Sequence, residues 1–175
     1  MINKILVAID RSQNNLSVFD SAVSLAQITG AKLMLLHVIS QNEADYPILP
    51  TYSYYPIVDQ YEYDTYQRQV EEYKQQGISF LQNLSQKATA AGVETEITQL
   101  AGNPGLIICE LAKNWSAELI IVGSRGLKGL QEILLGSVSN YVTHHAPCSV
   151  FITRTSNQTN LVASKEPGSQ RKAIS

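Results

Sequence analysis

Glu118-Leu119-Ile120-Ile121-Val122-Gly123-Ser124-Arg125-Gly126, followed nine residues later by Gly136-Ser137-Val138, is the stretch that decides the fold. An apolar β-branched run predicts a buried strand. The glycines directly after it open a loop, and the small hydroxyl residue behind the last glycine starts a helix. Ile5-Leu6-Val7-Ala8-Ile9-Asp10 and Lys32-Leu33-Met34-Leu35-Leu36-His37-Val38 share the same continuous apolar character, which belongs to parallel strands covered on both faces.

Helical spacing fills the gaps between these runs. Leu16, Phe19, Ala22, Val23 and Ala26 recur on one face behind a cap at Asn14 or Asn15, and Thr29-Gly30 ends that helix. A long amphipathic helix is predicted from about Tyr63 to Ala91, with Val70, Tyr73, Ile78, Leu81, Leu84 and Ala88 on its buried stripe. Gly77 is expected to weaken its middle. Val93–Leu100 reads as a third strand, and Gly102-Asn103-Pro104 as a helix start leading to about Trp115. Ala117–Val122 is the fourth strand, residues 128–135 are predicted helical, and a helix from Ser137 closes before Pro147. Cys148–Thr153 is the fifth strand.

This alternation predicts an α/β domain: a parallel sheet, right-handed crossovers and helices on both faces. Ligands of such folds sit beyond the carboxyl ends of the strands, where Asp10, Val38 and Gly123 all fall. The order of the strands does not follow from the patterns.

Two segments depart from the alternation. From Ser40 to Asp59 the chain holds Pro47, Pro50 and Pro56 among Tyr52, Tyr54 and Tyr55, so a long loop or flap is expected there. After Arg154 it is polar, with few apolar residues, and residues 155–175 are expected to be a disordered tail on a domain of residues 1–154.

The chain has 175 residues, of which 44% are hydrophobic and 16% charged, and a formal net charge of -2. That suits one domain with a single core, and it offers no basic footprint for nucleic acid or anionic membrane. No apolar run reaches membrane-spanning length and the N-terminus lacks the pattern of a signal peptide, so the expected compartment is the cytoplasm. Cys109 and Cys148 lie in apolar segments and are expected as two buried thiols rather than a disulfide.

Glycines let a backbone approach a ligand closely, and amides exposed by such a loop form an anion nest. The helix opening at Ser137 adds unpaired amides and a positive dipole end. A phosphate placed there would also meet the hydroxyls of Ser137 and Ser139, with Arg125 or Lys128 as extra charge. The stretch is neither a P-loop, lacking Gly-Lys-Ser/Thr, nor the dinucleotide fingerprint directly after a first strand. On spacing alone, an ordinary strand-to-helix connection with turn glycines is the better account of the stretch.

Gly123-Ser124-Arg125-Gly126, nine residues, then Gly136-Ser137 resembles the Gly-x2-Gly-x9-Gly-Ser/Thr signature of the ATP-binding branch of universal stress proteins. The likeness runs over residues 2–154, through Asp10-x-Ser12, Leu36-His37-Val38 and Ala146-Pro147-Cys148-Ser149-Val150. It implies an open five-stranded parallel sheet of the adenine nucleotide alpha-hydrolase-like, Rossmann-like kind, in strand order 3-2-1-4-5. It also implies an adenine nucleotide, ATP or else ADP or AMP, with any Mg2+ carried by the nucleotide.

Transferred residue by residue, the resemblance places Asp10 near the adenosine, Val38 against the adenine through its backbone, and Gly123 beside the ribose. Gly126, Gly136, Ser137 and Val138 would hold the phosphates, with Ser139 nearby. Arg125 stands at a variable position of the signature. The Ser40–Asp59 insertion is longer and richer in tyrosine than the family's usual connection. It would cover either the nucleotide or a partner surface.

Several residues admit plainer readings. Asp10 could contact ligand or cap its own turn. His37, inside an apolar strand, reads as a satisfied core or crevice histidine. His144, His145 and Cys148 look like metal ligands only on paper, since adjacent histidines diverge on a helix. Ser137, His37 and Asp10 lack a nucleophile-elbow context for a triad. The tyrosines fit a lid, a partner surface or a solvated loop.

The resemblance further implies a homodimer through an edge strand at 149–153. The function expected is a nucleotide-binding regulator of stress physiology with an unidentified protein partner, and not an enzyme. The alternative is a slow ATPase or phosphotransferase on the same fold. An adenylating enzyme would want a Ser-Gly-Gly-x-Asp-Ser loop where Asp10-Arg11-Ser12 stands.

Overall fold

Strand and helix alternate from end to end in the computed structural model, which describes residues 1–12, 15–41, 43, 45–49, 60–124 and 135–154. The elements are β1 (Lys4–Ala8), α1 (Asn15–Thr29), β2 (Lys32–Ile39), α2 (Gln60–Ala90), β3 (Thr95–Ala101), α3 (Pro104–Trp115), β4 (Leu119–Ser124), α4 (Ser137–His145) and β5 (Ser149–Arg154). All pairings are parallel and the order is β3-β2-β1-β4-β5. The fold and strand order thus match those implied by the resemblance.

Winding reverses at β1, which pairs with β2 through Val7↔Leu35 and with β4 through Val7↔Ile121. Side chains alternate across each strand, so the sheet carries two cores. On one face Ile5, Val7, Leu33, Leu35 and Ile121 pack under α1 and α2, against Phe19, Ala22, Leu81 and Leu84. On the other, Leu6, Leu36, Ile120 and Val122 pack under α3 and α4, against Ile108, Ala112 and Val142. Ile5, Leu6 and Val7 are all fully buried, which is why β1 is an unbroken apolar run.

α2 is one continuous helix despite Gly77. The glycine costs helix propensity without interrupting the helix. Gly77 is buried, and a Cβ there would lie 2.9 Å from both His37 Nδ1 and Gln99 Nε2. The missing side chain lets α2 settle onto β2 and β3. The helix also begins at Gln60, earlier than its apolar stripe, because its buried residues start only at Val70.

Of the helix expected over residues 128–135, residues 128–134 lie outside the described residues, as do the tyrosines at 52, 54 and 55 and the tail beyond 154. Leu135 is described and is not helical. No described helix is long and apolar enough to cross a membrane.

Candidate functional site

A cleft of about 380 Å³ opens beyond the carboxyl ends of β1, β2 and β4. That is within the range of small-ligand pockets. Of the residues singled out from sequence, Asp10, Val38, Gly123, Gly136, Ser137, Val138 and Ser139 all line it. Arg125 and Gly126 lie outside the described residues.

The base of the cleft is set by the sheet. Ile9 donates its amide to the Leu36 carbonyl at 2.9 Å, which carries β1 one residue past its strand and delivers Asp10 to the rim. One Asp10 oxygen accepts from the Ser12 amide at 3.1 Å and the Ser12 hydroxyl at 2.5 Å. Asp10 therefore both caps its turn and lines the cleft. Val38 ends the apolar part of β2, paired with Leu100 and nearly buried.

The opposite wall is the start of α4. Gly136 is its N-cap and supplies no side-chain hydrogen bond. The first main-chain donation is from Asn140 to the Gly136 carbonyl at 2.9 Å. The amides of Ser137, Val138 and Ser139 therefore leave the helix start without an intrahelical acceptor, at the positive end of the dipole. Ser139 is buried, and its hydroxyl donates to the Gly123 carbonyl at 2.7 Å. It fixes the start of α4 to the end of β4, a positioning task in addition to the place near the phosphates implied for it. A Cβ on Gly123 would come within 3.0 Å of Val18, so the glycine here admits α1 against β4.

Sequence reasoning missed part of the lining. Asn103, read only as a cap, accepts from the Gly105 and Leu106 amides and so satisfies the start of α3 within the cleft wall. Tyr141 packs so closely on Gly105 that a Cβ there would lie 2.6 Å from its ring. This seat holds the starts of α3 and α4 side by side. Ser40 and Glu43, from the insertion, also line the cleft. No local pattern marked them, since they sit in a segment recognised only by its prolines and tyrosines.

His37 departs from expectation. It is fully buried, as a core histidine should be, yet neither ring nitrogen has a hydrogen-bond partner among the described residues. Its Nε2 lies 3.7 Å from Glu43 Oε1, ion-pair range but too far for a hydrogen bond. Burial, and secondly the Arg11 guanidinium, hold its pKa below the usual imidazole value, while Asp10 acts the other way. His144 and His145 place Nδ1 at 2.8 and 2.9 Å from the carbonyls of Asn140 and Tyr141, one turn back. Among the described residues no three metal-ligating groups cluster. Cys109 and Cys148 are free, only half-buried, and packed against the same apolar core; burial pushes both thiols up.

The model of the universal stress protein family matches residues 1–154. The chain belongs to that family. It is 39% identical to Universal stress protein Sll1388 of Synechocystis sp. over 157 residues, 86% of this chain and 97% of that one. It is 38% identical to Universal stress protein YxiE of Bacillus subtilis over 154 residues, 88% of this chain and all of the other. Among solved structures it resembles a universal stress protein in complex with cAMP, with TM-score 0.62, 24% identity, and 89% and 98% of the two chains covered. It also resembles the universal stress protein from Archaeoglobus fulgidus in complex with dAMP, with TM-score 0.56, 22% identity, and 87% and 98% covered. At those identities the structural likeness of this universal stress protein concerns the fold.

Proposed function

We propose that this universal stress protein belongs to the family's ATP-binding branch and acts as an adenine-nucleotide-binding regulator in the stress response. One observation carries the reading. The amides of Ser137, Val138 and Ser139, without intrahelical acceptors, face Asp10 and Val38 across a nucleotide-sized cleft at the point where the winding reverses. Adenosine lies between the ends of β1 and β2, near Asp10, the Val38 backbone and Gly123. The phosphates lie on Gly136, Ser137 and Val138, with Gly126 and Arg125 contributing from the glycine loop. Mg2+ enters with the nucleotide. The adenine nucleotides in the two structural neighbours support this class of ligand.

The role is binding rather than turnover. The cleft's main-chain donors suit holding phosphate, and Asp10, the described carboxylate of the β1 turn, is engaged with Ser12. The protein works in the cytoplasm as a homodimer paired through β5, an edge strand on which Phe151 is 47% exposed. Its nucleotide state alters what an unidentified protein partner meets.

Thermal denaturation with and without ATP tests the site, because a ligand of the native state raises the midpoint. A midpoint that rises with ATP concentration is expected; one unchanged at millimolar ATP would remove the reading. Steady multiple turnover of ATP, lost in Ser137→Ala, would establish the slow ATPase instead.

A further inference from the structure

We propose that His37 and Glu43 form a proton-linked control on the cleft, in which nucleotide binding draws a proton onto His37 and acidification tightens nucleotide binding. The inference rests on the nucleotide reading above and adds its regulation.

The starting point is a buried polar group left without partners. Native structures pair nearly all such groups, so an exception calls for a reason. His37 is fully buried with both ring nitrogens unpaired, and the Gln99 amide beside it is unpaired on both atoms. The two converge above Gly77, whose Cβ position lies 2.9 Å from His37 Nδ1 and 3.1 Å from Gln99 Oε1. A proton on His37 turns both nitrogens into donors. Acceptors are then at hand: Gln99 Oε1 on the Nδ1 side and the Glu43 carboxylate 3.7 Å from Nε2.

Glu43 connects this buried pair to the ligand. Its amide donates to the Ser40 carbonyl at 3.0 Å, folding the chain back after β2, and its carboxylate accepts from the Tyr73 hydroxyl of α2. The same residue lines the cleft. A carboxylate on the wall of a cleft that takes an anion opposes the ligand. An imidazolium behind it offsets that charge.

The other groups facing His37 set its resting state. From the turn after β1 come Asp10, which favours the proton, and Arg11, which opposes it. Arg11 is held in place by Gln76 Oε1 at 2.9 Å and by the Tyr73 ring, 5.0 Å from its guanidinium carbon. From the segment after β2 come Glu43 and Tyr46, the latter edge-on to Tyr73 at 5.5 Å. α2 contributes the Tyr73 phenol and the neutral Gln76, and β3 the neutral Gln99. With burial the largest influence, the ligand-free protein holds His37 neutral near neutrality. Bound phosphates add negative potential, which favours the proton. By linkage, the proton then favours the phosphates equally.

Calorimetric titration of ATP at about pH 7.5 and about pH 5.5 brackets an imidazole transition, and compares wild type, His37→Asn and Glu43→Gln. ATP's own phosphate protonation is common to all three and cancels in the comparison. Acidification is expected to raise the wild-type affinity about fivefold more than that of either variant. Wild type should take up a fraction of a proton more than either variant, measured as a binding enthalpy that depends on the buffer's ionisation heat. Glu43→Gln should also bind more tightly than wild type at the higher pH. It keeps the shape of the rim and so guards against a misfolded His37 variant. Equal pH slopes and equal proton uptake in the three proteins, with ATP still bound, would overturn the linkage and leave the nucleotide reading standing. No ATP binding at either pH would remove both.

Discussion

The two sides of the sheet's carboxyl edge solve the same problem in opposite ways. On the α3 and α4 side, three of the side chains that shape the cleft are tied down. Ser139 is on the Gly123 carbonyl, Asn103 on the α3 amides, and Asp10 on Ser12. What faces outward is main chain, the amides opening α4. On the α2 side the His37 ring nitrogens and the Gln99 side-chain amide are buried with no hydrogen-bond partner among the described residues. A satisfied wall is rigid and presents a fixed donor set, as a site that recognises phosphate requires. An unsatisfied buried pair forgoes about 1–3 kcal/mol per group and responds to a proton. One side recognises, and the other adjusts.

The largest effect comes from breaking the recognising side. Gly136→Val puts a branched side chain into the space in front of the α4 amides. ATP affinity should fall at least about a hundredfold, roughly 2.7 kcal/mol, by calorimetry, with little change in the melting midpoint of the free protein. Unchanged affinity would show that α4 holds no phosphate.

Next is the seat of the adjusting side. Gly77→Ala gains helix propensity of about 1 kcal/mol but drives a methyl to 2.9 Å from His37 and Gln99. Overpacking outweighs the gain, for a net loss of about 1–2 kcal/mol, read in urea unfolding. A stabilised variant would mean that the buried pair moves aside freely.

The caps of the satisfied wall carry less each. Asn103→Ala should cost about 1 kcal/mol through the lost N-cap. Ser139→Ala should cost about 1 kcal/mol through the lost Gly123 tether, with a several-fold weaker ATP affinity because the start of α4 is no longer fixed. Full affinity in Ser139→Ala would mean that the serine does not position the site.

The smallest effect is on the pH dependence of folding. His37 has its pKa lowered in the fold, so its contribution is present above the unfolded value of about 6.5 and is lost as pH falls through the folded one. The ligand-free protein should therefore lose stability on mild acidification, and His37→Asn should lose less. A parallel decline in the two proteins would show that His37 does not titrate differently on unfolding.

The satisfied side was largely legible in the sequence, because its signals are local. The apolar run from Leu119 to Val122 leads straight into Gly123, and Gly102-Asn103-Pro104 announces a helix start within three residues. The strand order came through the resemblance and not through periodicity, since pairing is long-range. The α2 side was illegible for the same reason. Gly77 looked like a flaw in a helix because nothing local says that His37 and Gln99, on two different strands, lie under it. Glu43 carried no pattern at all, and its role appears only where the turn after β2 meets Tyr73 and the cleft.

The most direct test of the nucleotide site is a titration of the isotopically labelled protein with ATP, followed through its backbone amide resonances by NMR. Saturable shifts should concentrate on Gly136, Ser137, Val138 and Ser139, with a second group at Asp10 and Val38. Shifts confined to the α2 face, or none at millimolar ATP, would contradict a nucleotide site at the start of α4.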